Sequence, residues 1–432
     1  MAKENFSNVF NCTDSCALTG AAAFFTGIPQ AYMVANGPLW CYFYALRYLE
    51  RADYRVEKRF VGTQPDNTAV VYGTEECLLN TLQMIKDTEQ PSIVLVENSC
   101  AVGLIGDDIE GIARKAELPC PVVCFDSGGL LGGYCKGFSI AAKNFFESFP
   151  LKERQIIKPK KVNLLGMGIG YLNAENDLAE LKLLLSTAGL EIGACPGAGS
   201  SLDEIATMND AALNIVIHAE LGLEQAVLLE SKYGIPYFES GVPYGITGTK
   251  KWLQNLSTYV PVQMELINEW ASMIEHKNAA RINDIKSTWG DLWFEQALIA
   301  APSSVALGLA EALRLEWADM NQLVVILQDV PQVAFNQPEW IDKLLTAESP
   351  GVELDNALQA LADGILLASS SETALVQKKG LKNVITCNIA NPVHDELIIT
   401  REPFMGFNGS TNMLQRIWNQ KINDRIKSTC FS

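Results

Sequence analysis

Short apolar runs alternate with amphipathic stretches along most of this chain. In its first part, residues 68–73 and 92–96 are rich in β-branched and aliphatic side chains and predict strands, whereas residues 75–86 and 107–116 have the apolar spacing of helices. Strands that alternate with helices are typical of doubly wound domains with parallel sheets. The pattern therefore predicts an α/β fold.

The same pattern divides the chain into three blocks. Polar residues 152–161 separate the first block from the second, whose first strand is predicted at residues 162–166. Residues 262–314 have few turn signals apart from Pro302 and predict a long helical region leading into the third block. Further strands are predicted there, at residues 323–327, 364–368 and 384–387. We therefore expect three Rossmann-like domains with mainly parallel sheets, over residues 1–157, 158–290 and 291–432.

The first strand of the second block ends in Gly166-Met167-Gly168-Ile169-Gly170. The dinucleotide-binding fingerprint GxGxxG has one more residue before its last glycine, so the spacing here favours a tight turn over a nucleotide site. The sequence also has no GxxxxGK(S/T) segment, so it contains no P-loop for ATP.

The composition, with 48% hydrophobic and 19% charged residues, is that of a globular protein. No apolar run approaches the length of about 18 residues that a membrane span needs, and the first residues do not resemble a secretion signal. We therefore expect a cytoplasmic protein. Its eleven cysteines, an odd number, favour reduced thiols or metal ligands over a set of disulfides.

The formal net charge of −17 makes nucleic acid an unfavourable partner, because phosphate binding needs clustered cations. The basic run at residues 158–161 is short, and we expect it to flank a strand. The acidity serves solubility or, as the weaker alternative, docking to a basic surface on a redox partner.

Three cysteines in the first quarter of the chain lie in segments that contain glycine and predict loops: Cys16, Cys41 and Cys100. Thiolate sulfur is the ligand that holds iron–sulfur clusters. The three residues are too far apart in sequence for a local CxxC site, so only the tertiary fold can bring them together. Structural thiols are the alternative, since free cysteine is among the most buried residue types.

The segments around these cysteines resemble those of the nitrogenase component 1 family. Residues 36–41 are similar to the family's His-Gly-Pro-x-x-Cys, and residues 100–109 to its pattern of Cys followed by Ile-Gly-Asp-Asp and a hydrophobic residue. Segments that resemble marks of its second and third domains follow in order, at residues 214–218, 232–236 and 403–409. The resemblance implies three domains around a central cavity. It also implies an Fe–S cluster, of the 4Fe–4S type or larger, held by Cys16, Cys41 and Cys100.

The remaining cysteines are assigned to packing or left open. Cys12 lies one helical turn before Cys16 and is an alternative ligand, although the family's spacing favours Cys16. For the others we expect structural roles; they are Cys77, Cys120, Cys124, Cys135, Cys195, Cys387 and Cys430.

The resemblance breaks at the ligands of the family's iron–molybdenum cofactor, which are one cysteine and one histidine. His218 stands at or next to the cysteine position, and Met405 stands where the histidine is expected. A thioether is a poor substitute for imidazole, so we do not expect dinitrogen reduction on that cofactor. His218 is a candidate metal ligand when neutral or a catalytic proton donor when charged, with a hydrogen-bonded structural role as the alternative. Met405 is a candidate contact for a second metal cofactor, or part of the cavity wall.

A 4Fe–4S cluster takes four protein ligands, but the resemblance provides three. A second subunit supplies the fourth, or an oxygen ligand such as Asp14 or Ser99 does, or two copies share one larger cluster. The resemblance favours a cluster between two like subunits, identical or related. We therefore expect a homo- or hetero-oligomer.

These features lead to two main hypotheses. In the first, the chain is an enzyme subunit that takes low-potential electrons from a separate ATP-dependent Fe–S reductase, as the resemblance implies, and passes them to a substrate in the cavity, such as a tetrapyrrole. In the second, it is a scaffold on which a complex metal cluster is built without turnover, with His218 as a transient ligand. A regulatory or binding protein that kept the fold alone is a third alternative. A labile cluster implies an anaerobic setting.

Overall fold

The structure is a computed structural model that describes residues 15–126 and 131–430. Within them the chain forms three parallel β-sheets with helices packed around them, which confirms the expected α/β class. The strands are β1 (Ala31–Asn36), β2 (Phe60–Gly62), β3 (Ile93–Asn98), β4 (Val122–Asp126), β5 (Lys158–Leu165), β6 (Glu191–Ile192), β7 (Ala211–Val216), β8 (Tyr237–Glu239), β9 (Trp293–Ala301), β10 (Asp319–Leu327), β11 (Lys343–Thr346), β12 (Ile365–Ala368) and β13 (Ile385–Asn388). The helices are α1 (Ala17–Thr26), α2 (Leu39–Leu49), α3 (Asn67–Tyr72), α4 (Glu75–Thr88), α5 (Cys100–Gly103), α6 (Ile109–Ala116), α7 (Tyr134–Ser148), α8 (Ala174–Thr187), α9 (Leu202–Ala206), α10 (Ala219–Tyr233), α11 (Ile246–Leu256), α12 (Met264–Trp289), α13 (Ser303–Ala312), α14 (Gly351–Gln359), α15 (Ser370–Lys379) and α16 (Gly406–Cys430).

The first sheet has the strand order β2–β1–β3–β4, and every neighbouring pair is parallel. Asn36, the last residue of β1, pairs with Asn98, the last residue of β3. The Asn36 side chain donates to Asn98 Oδ1 (2.9 Å), and the N–H of Ser99 donates to the carbonyl of Asn36 (2.9 Å). The segments that follow β1 and β3 therefore leave the sheet side by side at its carboxyl edge.

The other two sheets are parallel as well, in the orders β6–β5–β7–β8 and β11–β10–β9–β12–β13. The three sheets occupy residues 31–126, 158–239 and 293–388, so each lies inside one of the predicted domains. The domain boundaries themselves stay predictions.

One continuous apolar core holds residues from all three sheets and their helices together. At its centre, the ring of Phe24 in α1 lies 5.4 Å from that of Phe138 and 5.6 Å from that of Phe145, both in α7. Helix α7 also packs against α10 of the second sheet. Shared packing of this kind fixes the space between the sheets.

Residues 68–73 do not form the strand that their β-branched side chains predict. Residues 68–72 belong to helix α3, which ends before Gly73, because Asp66 caps its amino terminus and accepts hydrogen bonds from the N–H groups of Thr68 (2.9 Å) and Ala69 (2.8 Å). A good N-cap here overrides the residue propensity.

The expectation of one long helical region at residues 262–314 was also wrong. Helix α12 ends at Trp289, and residues 293–301 form β9, the central strand of the third sheet between β10 and β12. Both faces of β9 are covered, and its last six residues are all buried. A strand buried on both faces is a plain apolar run, which periodicity cannot distinguish from a buried helix.

The basic run at residues 158–161, which we expected beside a strand, lies within β5. Among the helices of the described residues, we find none with both the length and the apolar composition needed to cross a membrane.

Candidate functional site

The three predicted cluster ligands lie where helices begin. Cys16 precedes α1 and is exposed, Cys41 lies in the first turn of α2, and Cys100 is the first residue of α5; the last two are half-buried. The expectation of loops was wrong for Cys41 and Cys100, because the turn signals near them belong to the residues that precede the helix, whereas Cys16 itself lies outside α1.

The segments that carry Cys41 and Cys100 are in close contact. A Cβ atom added to Gly37 would lie 2.2 Å from Ser99 Oγ and 2.5 Å from Ser99 Cβ. The N–H of Gly37 is held by Thr63 Oγ1 at 3.1 Å. Only glycine fits in this contact, so the residue type at position 37 keeps the two cysteine-bearing segments adjacent.

Cys16 is held by a different part of the fold, the turn before α7. It forms an isolated antiparallel bridge with Gly133, and the N–H of Ala17 donates to the carbonyl of Gly132 (3.1 Å). Its Sγ lies 3.8 Å from Thr19 Oγ1. The position of this thiol therefore depends on the packing of α1 against α7.

The thiol of Cys41 lies within electrostatic reach of both other thiols. Burial raises the pKa of Cys41 above its ordinary value, and the neighbouring thiolates of Cys16 and Cys100 raise it further, while a hydrogen bond with Ser99 lowers it. Neighbouring thiolates repel each other, and a bound cation removes that repulsion. Cys41 is thus the one of the three residues that lies within electrostatic reach of both others.

The three candidate ligands are thiols, and sulfur is the soft donor that an Fe–S cluster takes. In residues 15–126 and 131–430, no three His, Cys, Asp or Glu side chains are grouped so as to hold a metal ion. The role of the three thiols as ligands stays a prediction, while Cys12 and Asp14, the alternatives, lie outside the described residues.

An exposed apolar surface lies beside two of the cysteines. The side chains of Leu39, Trp40 and Tyr44 on α2 are 44%, 61% and 66% exposed, and Leu104, just after α5, is 78% exposed. The rings of Trp40 and Tyr44 stack at a centroid distance of 5.8 Å. We call these four side chains the α2 surface. Adjacent exposed apolar groups are typical of an interaction site.

A cavity of about 410 Å³ is lined by residues from all three blocks of the chain. His218 is on its wall, at the end of β7 and directly before α10, and is 2% exposed. Its Nδ1 lies 2.7 Å from Ser304 Oγ. Burial lowers the pKa of His218 to about 3, so the ring is neutral near pH 7. This favours the metal-ligand form of the prediction over the charged proton donor, and both roles stay predictions.

A polar network that the sequence did not reveal surrounds His218. Glu220 Oε1 accepts hydrogen bonds from the hydroxyls of Tyr171 (2.8 Å) and Ser304 (2.7 Å). The Tyr171 hydroxyl also lies 3.3 Å from the sulfur of Cys135. When Glu220 is ionised, the single hydroxyl proton of Ser304 goes to Glu220, so the Nδ1 of His218 donates to Ser304 and the lone pair of the ring is on Nε2.

Two buried carboxyl groups of this network influence each other. Burial raises the pKa of Glu220 to about 7, and the charge of Asp329 adds to that effect. Burial also raises the pKa of Asp329, although the N–H and hydroxyl of Ser303 donate to it. Glu220 lies in the first turn of α10, after β7, and Asp329 lies in the segment after β10. An acidic residue shortly after an apolar strand was the signal available in the sequence.

Met405 is buried in the apolar core with 1% exposure, and it is the neighbouring Phe404 that lines the cavity. The backbone N–H groups of Phe404 and Met405 both donate to Asp177 Oδ1, at 2.6 and 2.9 Å. The assignment of Met405 as a cofactor contact stays a prediction. The buried carboxyl group of Asp177 fixes the backbone of this segment.

The other described cysteines lie apart from the three candidate ligands. Burial raises the pKa of the Cys124, Cys195 and Cys387 thiols to about 12, which fits structural roles. Cys135 differs because it lines the cavity and contacts Tyr171.

The glycine-rich turn after β5 supports the cavity rather than a nucleotide. Gly166 has φ +77°, and a Cβ atom there would lie 2.4 Å from the carbonyl oxygen of His218. Because Gly166 has no side chain, the turn after β5 can pack against the backbone of His218.

Comparisons with known proteins also indicate the nitrogenase component 1 family. A family model described as nitrogenase component 1 type oxidoreductase matches residues 16–421. One subunit of the light-independent protochlorophyllide reductase of Chloroflexus aurantiacus is 24% identical over 388 residues, 84% of this chain and 67% of that protein. The nitrogenase iron-molybdenum cofactor biosynthesis protein NifE of Clostridium pasteurianum is 27% identical over 250 residues, 56% of this chain and 53% of that protein. The solved structure described as nitrogenase Cp1 at pH 6.5 has a TM-score of 0.75 at 15% identity, covers 95% of this chain and 93% of its own, and shares the fold.

Proposed function

Because the chain belongs to the nitrogenase component 1 type oxidoreductases, we propose that it is a catalytic-component subunit that passes low-potential electrons to a small molecule in the central cavity. The family binds Fe–S clusters and includes protochlorophyllide reductase subunits among the relatives of this chain. The observation that carries the proposal is the position of Cys41: its segment packs against that of Cys100 through Gly37 and Ser99, and its thiol lies within electrostatic reach of Cys16 and Cys100.

Cys16, Cys41 and Cys100 would hold the cluster. When bound, it would supply a site that accepts and releases single electrons. The exposed position of Cys16 leaves room for a further ligand from outside the chain. The α2 surface beside these residues would be covered by a like subunit, and an ATP-dependent Fe–S reductase would deliver the electrons, since the sequence has no P-loop.

In the cavity, the residues of the chain itself would exclude water and hold the substrate. His218 is neutral and fixed by Ser304, and Tyr171 and Ser304 hold one oxygen of Glu220. Fixed dipoles in a buried site act without reorganising during a reaction. The sequence and the cavity leave the substrate open, with a tetrapyrrole as one candidate.

The similarity to NifE favours a second candidate, a scaffold for assembly of a complex metal cluster. In that case the chain would bind a cluster and pass it on without turnover. Neutral His218 would then be a transient ligand.

Anaerobic purification, with a measurement of iron and of the EPR signal after dithionite reduction, tests the proposal. The wild-type protein should contain iron and give the signal of a reduced cluster. Cys41→Ala should lose both, because the remaining thiols cannot complete the site. Cys120→Ala is the matched control, since it removes another half-buried thiol, just before β4, that is not one of the three candidate ligands.

A wild-type protein without iron, or a Cys41→Ala variant that keeps it, would contradict the ligand assignment. With iron present, electron transfer from an ATP-dependent reductase to candidate substrates separates the two functions. Substrate reduction supports the enzyme, and a stable cluster without turnover supports the scaffold.

A further inference from the structure

The lining of the central cavity is strongly acidic. Its carboxyl groups are those of Asp177, Glu220, Glu224, Asp329 and Glu348. Among the described residues the lining holds one lysine, Lys136, and its ammonium group is already paired with Glu224 at 2.7 Å. No arginine lines the cavity in that part of the chain. A site for a polyanionic compound would instead need arginine or lysine side chains that are free to bind it.

One carboxyl oxygen on this wall has no hydrogen-bond partner. Glu220 is 3% exposed, and its Oε1 accepts two hydroxyl groups, whereas Oε2 is buried without any partner. A buried oxygen of this kind costs free energy unless a donor reaches it. Since the residue lines the cavity, a molecule in the cavity can supply that donor.

A second unpaired group lies on the same wall. The side-chain nitrogen of Gln328, at the end of β10, is buried without an acceptor. Nε2 of His218 offers a further lone pair in the same lining when Glu220 is ionised, as the hydrogen bond to Ser304 then requires. The wall therefore presents two acceptors and one amide donor.

We propose that the central cavity binds a cationic or neutral molecule whose N–H or O–H group donates to Glu220 Oε2, and that it rejects polyanionic compounds. The inference rests on the proposed function, because it names the substrate class of the same site. It excludes tetrapyrroles that carry several carboxylates. The cavity volume of about 410 Å³ lies at the smaller end of the usual range for small-molecule sites.

Three probes of nearly equal shape and different charge test the inference: benzamidine, benzamide and benzoate. Their binding to the anaerobically purified protein is measured by calorimetry at about pH 8, where carboxyl groups are largely ionised. Benzamidine should bind best, and benzoate at least about tenfold more weakly, because the acidic lining repels it.

Two variants test whether Glu220 is the residue responsible for the preference for benzamidine. Glu220→Gln should weaken benzamidine about tenfold to a hundredfold, the usual effect of losing a hydrogen bond to a charged group. Glu348→Gln removes the same charge from an exposed part of the lining, and it should change binding less than about threefold. If Glu220→Gln does not fold, the ranking of the three probes on the wild-type protein still decides the question.

The inference is overturned if benzamidine does not bind, if benzoate binds as tightly, or if Glu220→Gln and Glu348→Gln behave alike. Iron content is measured on the same samples. A protein that contains no iron but ranks the probes as expected contradicts the proposed function alone. A protein that holds iron and binds benzoate best contradicts this inference alone.

Discussion

Gly37→Ala tests whether the cysteine-bearing segments are in contact as the structure shows. The new Cβ atom would lie 2.2 Å from Ser99 Oγ and 2.5 Å from Ser99 Cβ. The Ser99 side chain is too short to swing away, so one backbone segment must move and carry Cys41 or Cys100 with it. Overpacking of this kind costs about 1–3 kcal/mol. A cluster tolerates little displacement of its ligands, so we expect iron to be lost as well.

A double variant identifies the cause. In Gly37→Ala/Ser99→Gly both clashing atoms are gone, and the nearest remaining atom, Ser99 Cα, lies at an ordinary contact distance of 3.7 Å. Glycine in place of serine before a short helix costs only a few tenths of a kcal/mol. The double variant should therefore regain most of the stability and iron of the wild type.

Iron per protomer and the midpoint of thermal unfolding are the two measurements. Gly248→Ala is the control, because a Cβ atom there would meet nothing within 4 Å and the residue lies in helix α11. That change should be neutral or slightly stabilising. If Gly37→Ala keeps its iron and unfolds at the wild-type temperature, the two segments are not packed as described.

Three further predictions concern other parts of the chain. Burial raises the pKa of Asp177 to about 7, so the folded state binds an extra proton, and stability should fall as pH rises from about 4 to 7; in urea unfolding, Asp177→Asn, which keeps an acceptor for Phe404, should show a smaller loss than the wild type, since Glu220 still contributes, and an equal loss would contradict the pKa. Asp66→Ala should lower the free energy of unfolding by about 0.5–2 kcal/mol, since it removes the cap of α3, whereas Asp66→Asn should restore most of it in the same melting assay. Trp40→Asp should reduce self-association or pairing with a like subunit in sedimentation experiments, and the control Trp293→Asp, on the third sheet, should not; equal behaviour of the two would place the interface elsewhere.

The parts of the fold that sequence predicted correctly are those with a clear local signal. The strand at 92–96 and the helix at 75–86 both formed close to their expected positions, as β3 and α4. The strand expected at 68–73 failed because one capping side chain, Asp66, decided the local structure. Strand β9 was missed because its apolar run has no period once both faces are covered.

The residues of the candidate site differ in how far the sequence alone reveals them. The three cysteines stand in local motifs, so their identity was visible in the sequence, although the helices that they begin were not. The acceptors of the cavity carried no such motif. Ser304 donates a hydrogen bond to Glu220, and the charge of Asp329 raises its pKa. Both residues come from another block of the chain, so no spacing in the sequence indicates that they contact Glu220.

The dependence of the cavity on packing has a physical consequence. Tyr171 and Glu220 are held by the second sheet, while Ser304 and Asp329 follow strands of the third. A carboxyl group between them keeps its unusual pKa only while water is excluded from the contact. Any motion that separated the two sheets would hydrate Glu220, restore its ordinary acidity and remove the buried unpaired oxygen. We therefore expect ligand binding to Glu220 to depend on the packing of the second sheet against the third, and not on either sheet alone.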